Sequence, residues 1–139
     1  GIDAMAELGL AVAKDWRITG RLQYTYQDAR DVTNANTSYY KDQIPYIPWN
    51  SGSAILGVSW QSWDLAYSFI YTGERYSQQE NILYNYLQPW YTHDMSLSYH
   101  AKRWSARIDV NNIFSQDYDV ILNYPMPKRN YMLTLEYNF

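Results

Sequence analysis

Two carboxylates, Asp94 and Asp109, are the side chains of this sequence best placed to do chemistry together. They fall on the same parity of neighbouring alternating segments, at similar height, and paired carboxylates can bind a cation or share a proton. With Arg107 and Asn111 beside them they read rather as a hydrated polar network lining a lumen. The two histidines, His93 and His100, are isolated, one on the apolar parity and one in a turn, and at that spacing they make no metal site. No nucleophile–base constellation, glycine-rich phosphate loop or HExxH helix is present, so the residues point neither to catalysis nor to a cofactor. The absence of cysteine excludes a disulfide framework and a thiolate metal site, and a net charge of −3 gives no reason to expect nucleic acid. What the chain has in excess is amphipathic aromatic side chains: 16 Tyr and 6 Trp against 3 Phe. An apolar body with a polar tip suits a boundary between apolar and wet phases.

The elements that must position these groups are strands, because the dominant pattern is period-two alternation. In Trp16–Asp28 the even positions are Trp16, Ile18, Gly20, Leu22, Tyr24 and Tyr26, and the odd ones Arg17, Thr19, Arg21, Gln23, Thr25 and Gln27. Trp63–Gly73, Trp104–Phe114 and Asn130–Phe139 alternate in the same way, with Asn112 breaking the apolar parity of its segment. Ile2–Val12, Ser51–Trp60 and Tyr91–Tyr99 complete a set of seven, the pattern being weakest in Ser51–Trp60, where Ile55 falls on the polar face. Connections alternate in length. Ala13–Asp15, Gln61–Ser62 and His100–Arg103 are short, whereas Ala29–Asn50, Glu74–Trp90 and Ser115–Arg129 are long. Short turns at one end and long loops at the other are the pattern of an outer-membrane barrel, with the short turns periplasmic.

Trp16, Trp60, Trp63, Tyr99, Trp104 and Phe139 all fall at the short-turn end of the apolar face, where a membrane-interface girdle would place them. A soluble barrel or sandwich, with the apolar face as core, is the competing reading. Its cores favour Val, Ile and Leu rather than Tyr, and strands of about 10–12 residues are long for it but suit a tilted span. The expected fold is therefore all-β: an antiparallel up-and-down meander of about seven long strands, part of a transmembrane outer-membrane barrel, with the lipid bilayer as its first partner.

Keeping faces matched across each pair gives a register. Pairing Val12 with Trp16 sets Glu7 opposite Arg21, and opposing Trp104 with Phe139 sets Arg107 opposite Glu136. Both pairs would face the lumen as structural pins, each contributing about 0.2–1 kcal/mol, or as contacts to a plug or substrate. Recognition belongs more naturally to the long loops. Tyr39, Tyr40, Tyr46 and Trp49 cluster with Lys41 and Asp42 in the first, Tyr84, Tyr86 and Trp90 lie in the second, and Tyr124 lies in the third with Tyr118, Asp119 and Asn123. Such clusters could grip a bulky, partly apolar ligand such as a metal chelate or a corrinoid, or simply extend the outer aromatic girdle.

Four stretches resemble the TonB-dependent receptors. Asn111-Asn112-Ile113-Phe114-Ser115-Gln116-Asp117-Tyr118 is similar to the N-N-[LI]-F-x-x-x-Y stretch that opens their last outer loop. Tyr124-Pro125-Met126-Pro127-Lys128-Arg129-Asn130-Tyr131 resembles the P-x-P-G-R-x-[FY] lead into the final strand, with Lys128 in place of Gly. The ending Leu135-Glu136-Tyr137-Asn138-Phe139 resembles the signal read by the outer-membrane assembly machinery, and Ile44-Pro45-Tyr46-Ile47-Pro48 resembles [IV]-P-x-x-P. The resemblance implies a barrel of about 22 strands around an N-terminal plug, energised through the TonB complex. The expectation is that residues 1–139 are the C-terminal strands of such a barrel, without the plug or a TonB-binding segment, and that they form the wall and outer loops of a transporter for a cobalamin or a ferric siderophore. A small outer-membrane barrel with a structural or adhesive role and a soluble β-barrel ligand binder stand as alternatives.

Overall fold

A computed structural model describes residues 1–139. The strands in chain order are β1 (Ile2–Ala13), β2 (Trp16–Tyr26), β3 (Asn50–Trp60), β4 (Trp63–Thr72), β5 (Arg75–Tyr76), β6 (Tyr86–Leu87), β7 (Trp90–His100), β8 (Trp104–Asn111), β9 (Asp119–Ile121), β10 (Tyr124–Pro125) and β11 (Asn130–Tyr137), with one 3-10 turn at Leu83–Asn85. The seven long strands form one sheet in the order β1-β2-β3-β4-β7-β8-β11, antiparallel throughout. The remaining short strands pair as β5–β6 and β9–β10 inside the second and third loops. The second and third loops therefore carry secondary structure of their own, in strands of two or three residues that are too short to announce themselves by periodicity.

Burial is inverted relative to a soluble protein. Leu22 and Leu135 are 59% and 69% exposed, and Ile108 stands open on the same apolar face. The most buried residues of the seven long strands are polar: Thr92, Ser98 and Asp109. Leu87, in a loop, is the one buried hydrophobic residue. A soluble core would have gathered Leu22, Tyr67, Ile108 and Leu135; this sheet spreads them over an open surface, as hydrocarbon outside the molecule requires.

The aromatic row at the short-turn end is continuous through the register. Trp16 opposes Trp60, Trp60 opposes Trp63, and Trp63 opposes Tyr99. Trp16 and Trp60 stack at 5.6 Å between ring centroids, Trp63 meets Tyr99 at 4.7 Å, and Tyr99 meets Trp104 at 5.2 Å. The tight Gln61–Ser62 turn that brings Trp60 and Trp63 together places Gln61 at a φ of 50°, the left-handed geometry that two-residue hairpins use.

Three register expectations are corrected. Trp16 pairs with Ala13 rather than Val12, through a bulge between Ala11 and Ala13; the pairing above the bulge is unaffected, so Glu7 opposes Arg21, and Arg21 Nε lies 2.7 Å from Glu7 Oε1. Trp104 opposes Tyr137, not Phe139. Phe139 lies beyond the paired strand, edge-on to Tyr137 at 5.2 Å. The same two-residue displacement separates Arg107 from Glu136: Arg107 opposes Thr134, and Glu136 opposes Ser105, whose hydroxyl donates to Glu136 Oε2 at 3.2 Å. A shift of two preserves every face, so patterning could not detect it.

Strand ends also differ slightly. β8 stops at Asn111 because Asn112 takes a φ of 51°, a left-handed conformation that Asn tolerates better than most residues. β7 gains Trp90 and His100, and His100 Nε2 lies 3.1 Å from Asp64 Oδ2 rather than in a free turn. His93 is on the apolar face among Tyr67, Phe69, Tyr91 and Phe114, with its Nδ1 in a hydrogen bond to the Tyr67 hydroxyl.

Neighbouring residues on β3 test the assignment of faces. Leu56 points to the apolar side and Ile55 to the polar side. In the intact protein refolded into bilayers, Leu56→Arg should cost about 2–4 kcal/mol and Ile55→Arg clearly less, read from urea-driven unfolding. Equal costs would remove the distinction between a lipid face and a wet face.

Candidate functional site

The three long loops are held together by buried polar side chains rather than by an apolar core. Gln43, Arg75 and Asn112 are each 3% exposed. Gln43 joins the first loop to the second: its Nε2 donates to Ile47 O at 2.6 Å and Glu74 O at 3.2 Å, while its backbone N–H donates to Asn81 Oδ1 at 2.6 Å. Arg75 joins the second loop to the third, its Nη2 donating to Asp119 O at 2.7 Å and Val120 O at 3.1 Å. Burial lowers the Arg75 pKa from its ordinary value, partly offset by Tyr46 and Asp119. Asn112 organises the third loop, accepting from Gln116 N at 2.8 Å and donating to Gln116 O at 2.9 Å and Pro127 O at 3.2 Å. Its own backbone N–H donates to Asp94 Oδ1 at 2.7 Å, tying that loop to β7. Hydrogen bonds that satisfy such buried groups fix geometry, because an unpaired alternative is expensive.

Between the second and third loops these ties leave a cavity of about 360 Å³. Its walls are Tyr86 to Trp90 on one side and Gln116 to Asp119, Leu122 and Pro125 on the other. Trp90 and Tyr118 face each other across the loops at 4.5 Å between centroids and 30° between planes. The Trp90 indole N–H is buried without a partner. Tyr86 donates its hydroxyl to Glu74 Oε2 at 3.1 Å. Burial raises the pKa of both phenols; the Glu74 hydrogen bond adds to the effect at Tyr86, and the charge of Asp94 at Tyr118. Both are therefore neutral hydrogen-bonding groups around neutral pH. Flat aromatic surfaces, amide groups from Gln88 and Gln116, and carboxylates from Asp117 and Asp119 give this cavity the means to hold a ring and orient its polar substituents.

Of the loop aromatics named from sequence, Tyr86, Trp90 and Tyr118 line this cavity, whereas Tyr39, Tyr40, Tyr46, Trp49, Tyr84 and Tyr124 do not. Tyr84 and Tyr124 stand open on the surface. Trp49 lies under the Arg30 guanidinium at 5.2 Å, and Tyr40 under Lys41 at 5.4 Å. Tyr46 adopts a φ of 60° and donates its backbone N–H to Tyr76 O at 2.7 Å, pinning the first loop to the second. Gln43 and Arg75 carry no motif and could not have been singled out; Asn112 could, because it breaks its strand's parity. On the polar face of the sheet, Asp94 and Asp109 do not bond each other. Asp94 holds the Asn112 N–H, and Asp109 holds Arg107 at 2.7 Å.

Known proteins match this arrangement. The sequence matches the family described as TonB dependent receptor-like, beta-barrel, over residues 1–113. No curated protein sequence matches. Among solved structures, the siderophore receptor PiuA from Acinetobacter baumannii superposes with a TM-score of 0.74 at 14% identity, over 97% of this chain and 21% of that one. The ferric-catecholate import receptor Fiu from K12 E. coli gives 0.66 at 17% identity, over 97% and 20%. The ferripyoverdine receptor of the Pseudomonas aeruginosa outer membrane gives 0.60 at 17% identity, over 97% and 19%. The chain thus spans about a fifth of each, and the likeness is one of fold: the seven-stranded sheet is an arc of an outer-membrane barrel, with its polar face toward the interior. The chain belongs to the TonB-dependent receptor β-barrel family of the outer membrane.

Proposed function

We propose that residues 1–139 supply seven wall strands and three outer loops to a TonB-dependent transporter of ferric siderophores, and that the cavity lined by the Trp90–Tyr118 pair is one of its ligand contacts. The observation that carries this reading is the aromatic pair itself. Two rings are held at 4.5 Å on loops that polar hubs have already ordered. A site ordered in advance loses little entropy on binding a bulky chelate. The siderophore class is favoured over a corrinoid because PiuA, Fiu and the ferripyoverdine receptor are all named for siderophore or iron-chelate uptake. Family membership supports TonB, acting through a plug, as a partner of the whole protein; in the same reading the outer-membrane assembly machinery acts through the terminal Phe139. It gives no reason to expect an enzyme.

Cells making the intact receptor should take up radio-iron from at least one of a panel of catecholate and hydroxamate chelates, and only with TonB present. Uptake of cyanocobalamin alone would overturn the siderophore assignment, and uptake indifferent to TonB would overturn the transport mechanism. Trp90→Ala and Tyr118→Ala should each weaken binding of the transported chelate by about tenfold or more, as truncation of an aromatic hot spot does, whereas Tyr84→Ala, at an open position, should change it little. Titration of the purified receptor by intrinsic fluorescence reads the difference. Arg75→Met should leave the strands intact but expose residues 118–122 to faster amide exchange, because the Asp119 and Val120 carbonyls lose their shared donor.

A further inference from the structure

The polar face carries a second cavity, of about 260 Å³, near the middle of the sheet, with Ser68, Asp94, Ser96, Arg107, Asp109 and Asn111 among its lining residues. Asp109 is 5% exposed, yet its Oδ2 has no hydrogen-bond partner. The reason lies in how Arg107 approaches it. A guanidinium can grip both oxygens of a carboxylate with two parallel bonds. Here Nε and Nη2 both go to Oδ1, at 2.8 and 2.7 Å, and Oδ2 is left over. Asp94 is similarly half-used: its Oδ1 accepts the Asn112 N–H, and its charge has no cation of its own. Arg107 neutralises one of the two carboxylates, so the cluster keeps one net negative charge beside an unfilled acceptor. A buried carboxylate oxygen in that state pays the full desolvation penalty unless a donor reaches it.

We infer that the Asp94–Asp109–Arg107 cluster is a binding site for one guanidinium or ammonium group on the interior wall. The donor fills Asp109 Oδ2, and its charge balances Asp94. Two sources share this chemistry: a basic side chain of the same polypeptide lying inside the barrel, and a small organic cation entering from solution. The site rests on the polar face being the barrel interior, but not on which cargo is carried. Its test is accordingly made without cargo.

Intact receptor in detergent is heat-unfolded with and without methylguanidinium, as wild type, Asp109→Asn, Arg107→Gln and the double variant; gel mobility before heating checks that each barrel is folded. If the donor comes from solution, methylguanidinium raises the wild-type unfolding temperature saturably, and Asp109→Asn weakens that binding about tenfold, the loss expected for one charge-assisted hydrogen bond. If the donor is a resident side chain, methylguanidinium does nothing to the wild type and Asp109→Asn itself lowers the unfolding temperature by a few degrees. Under either source the Asp109→Asn effect persists when Arg107 is Gln. The inference is overturned if that effect vanishes with Arg107, which would make Arg107 the sole partner, or if neither methylguanidinium nor Asp109→Asn has any effect. Should Asp109→Asn not fold, Arg107→Gln decides alone. It doubles the cluster's net negative charge, so methylguanidinium must then bind more tightly than to wild type or begin to bind; no change overturns the site.

Discussion

A strand in hydrocarbon has no water to satisfy its backbone, so each N–H and C=O must find a partner on a neighbouring strand. The long unbroken ladders of this sheet answer that constraint: β2 and β3 pair without interruption from Trp16–Trp60 to Tyr26–Asn50, and β3 and β4 from Ser51–Thr72 to Trp60–Trp63. Once the backbone is fixed as a sheet, side chains must alternate, and two solvents of opposite character then sort them. This is why Leu22 and Leu135 can remain open while Asp109 is covered. The aromatic row at the short-turn end marks where one solvent gives way to the other.

Outside the hydrocarbon the same chain organises itself by a different means. The outer loops bury almost no apolar residue, Leu87 being the exception, and leave Val32, Ile82, Leu83 and Ile121 exposed. They are assembled instead around Gln43, Arg75 and Asn112, each of which ties its own loop to a segment far away in sequence. A polar hub is directional where an apolar core is not. Few such bonds therefore suffice to hold Trp90 and Tyr118 at stacking distance on separate loops. The rigid wall and the ordered loops are two parts of one device, the wall fixing the loop ends and the hubs fixing their middles.

This division explains what could be read from sequence. The seven strands were legible because alternation over ten residues is a strong local signal. The aromatic row was legible because Trp16, Trp60, Trp63, Tyr99 and Trp104 sit at turn boundaries that are themselves short. Register at β11 was not: pairing Trp104 with Phe139 or with Tyr137 keeps aromatic against aromatic and leaves every face unchanged. The bulge at Ala11–Ala13 escaped for a different reason: it shifts the pairing by one residue at the very end of β1, where only Ala13–Trp16 follows to record the change. In the loops, composition marked aromatic residues but not their partners. Composition singled out Tyr86 and Trp90, which line a cavity, and Tyr84, which the structure leaves in the open, without distinguishing them. Long-range hydrogen bonds from Gln43 and Arg75 depend on the fold being already made, and no short stretch of sequence encodes them.

The sheet's strand count bears on how the barrel closes. In an antiparallel meander the first and seventh strands run the same way, here both toward the aromatic row, so β1 and β11 cannot form an antiparallel pair with each other. A second copy with the same orientation in the membrane offers edges of the same direction and cannot cap them either. Antiparallel closure calls for an odd number of further strands between these two edges, giving the even total that single-chain bacterial barrels use. A wide barrel built in this way leaves an interior that its own wall side chains cannot fill. The polar face of the present arc is suited to that setting. The Glu7–Arg21 pair is satisfied within the wall, whereas Asp109 keeps one oxygen for a partner the wall does not supply.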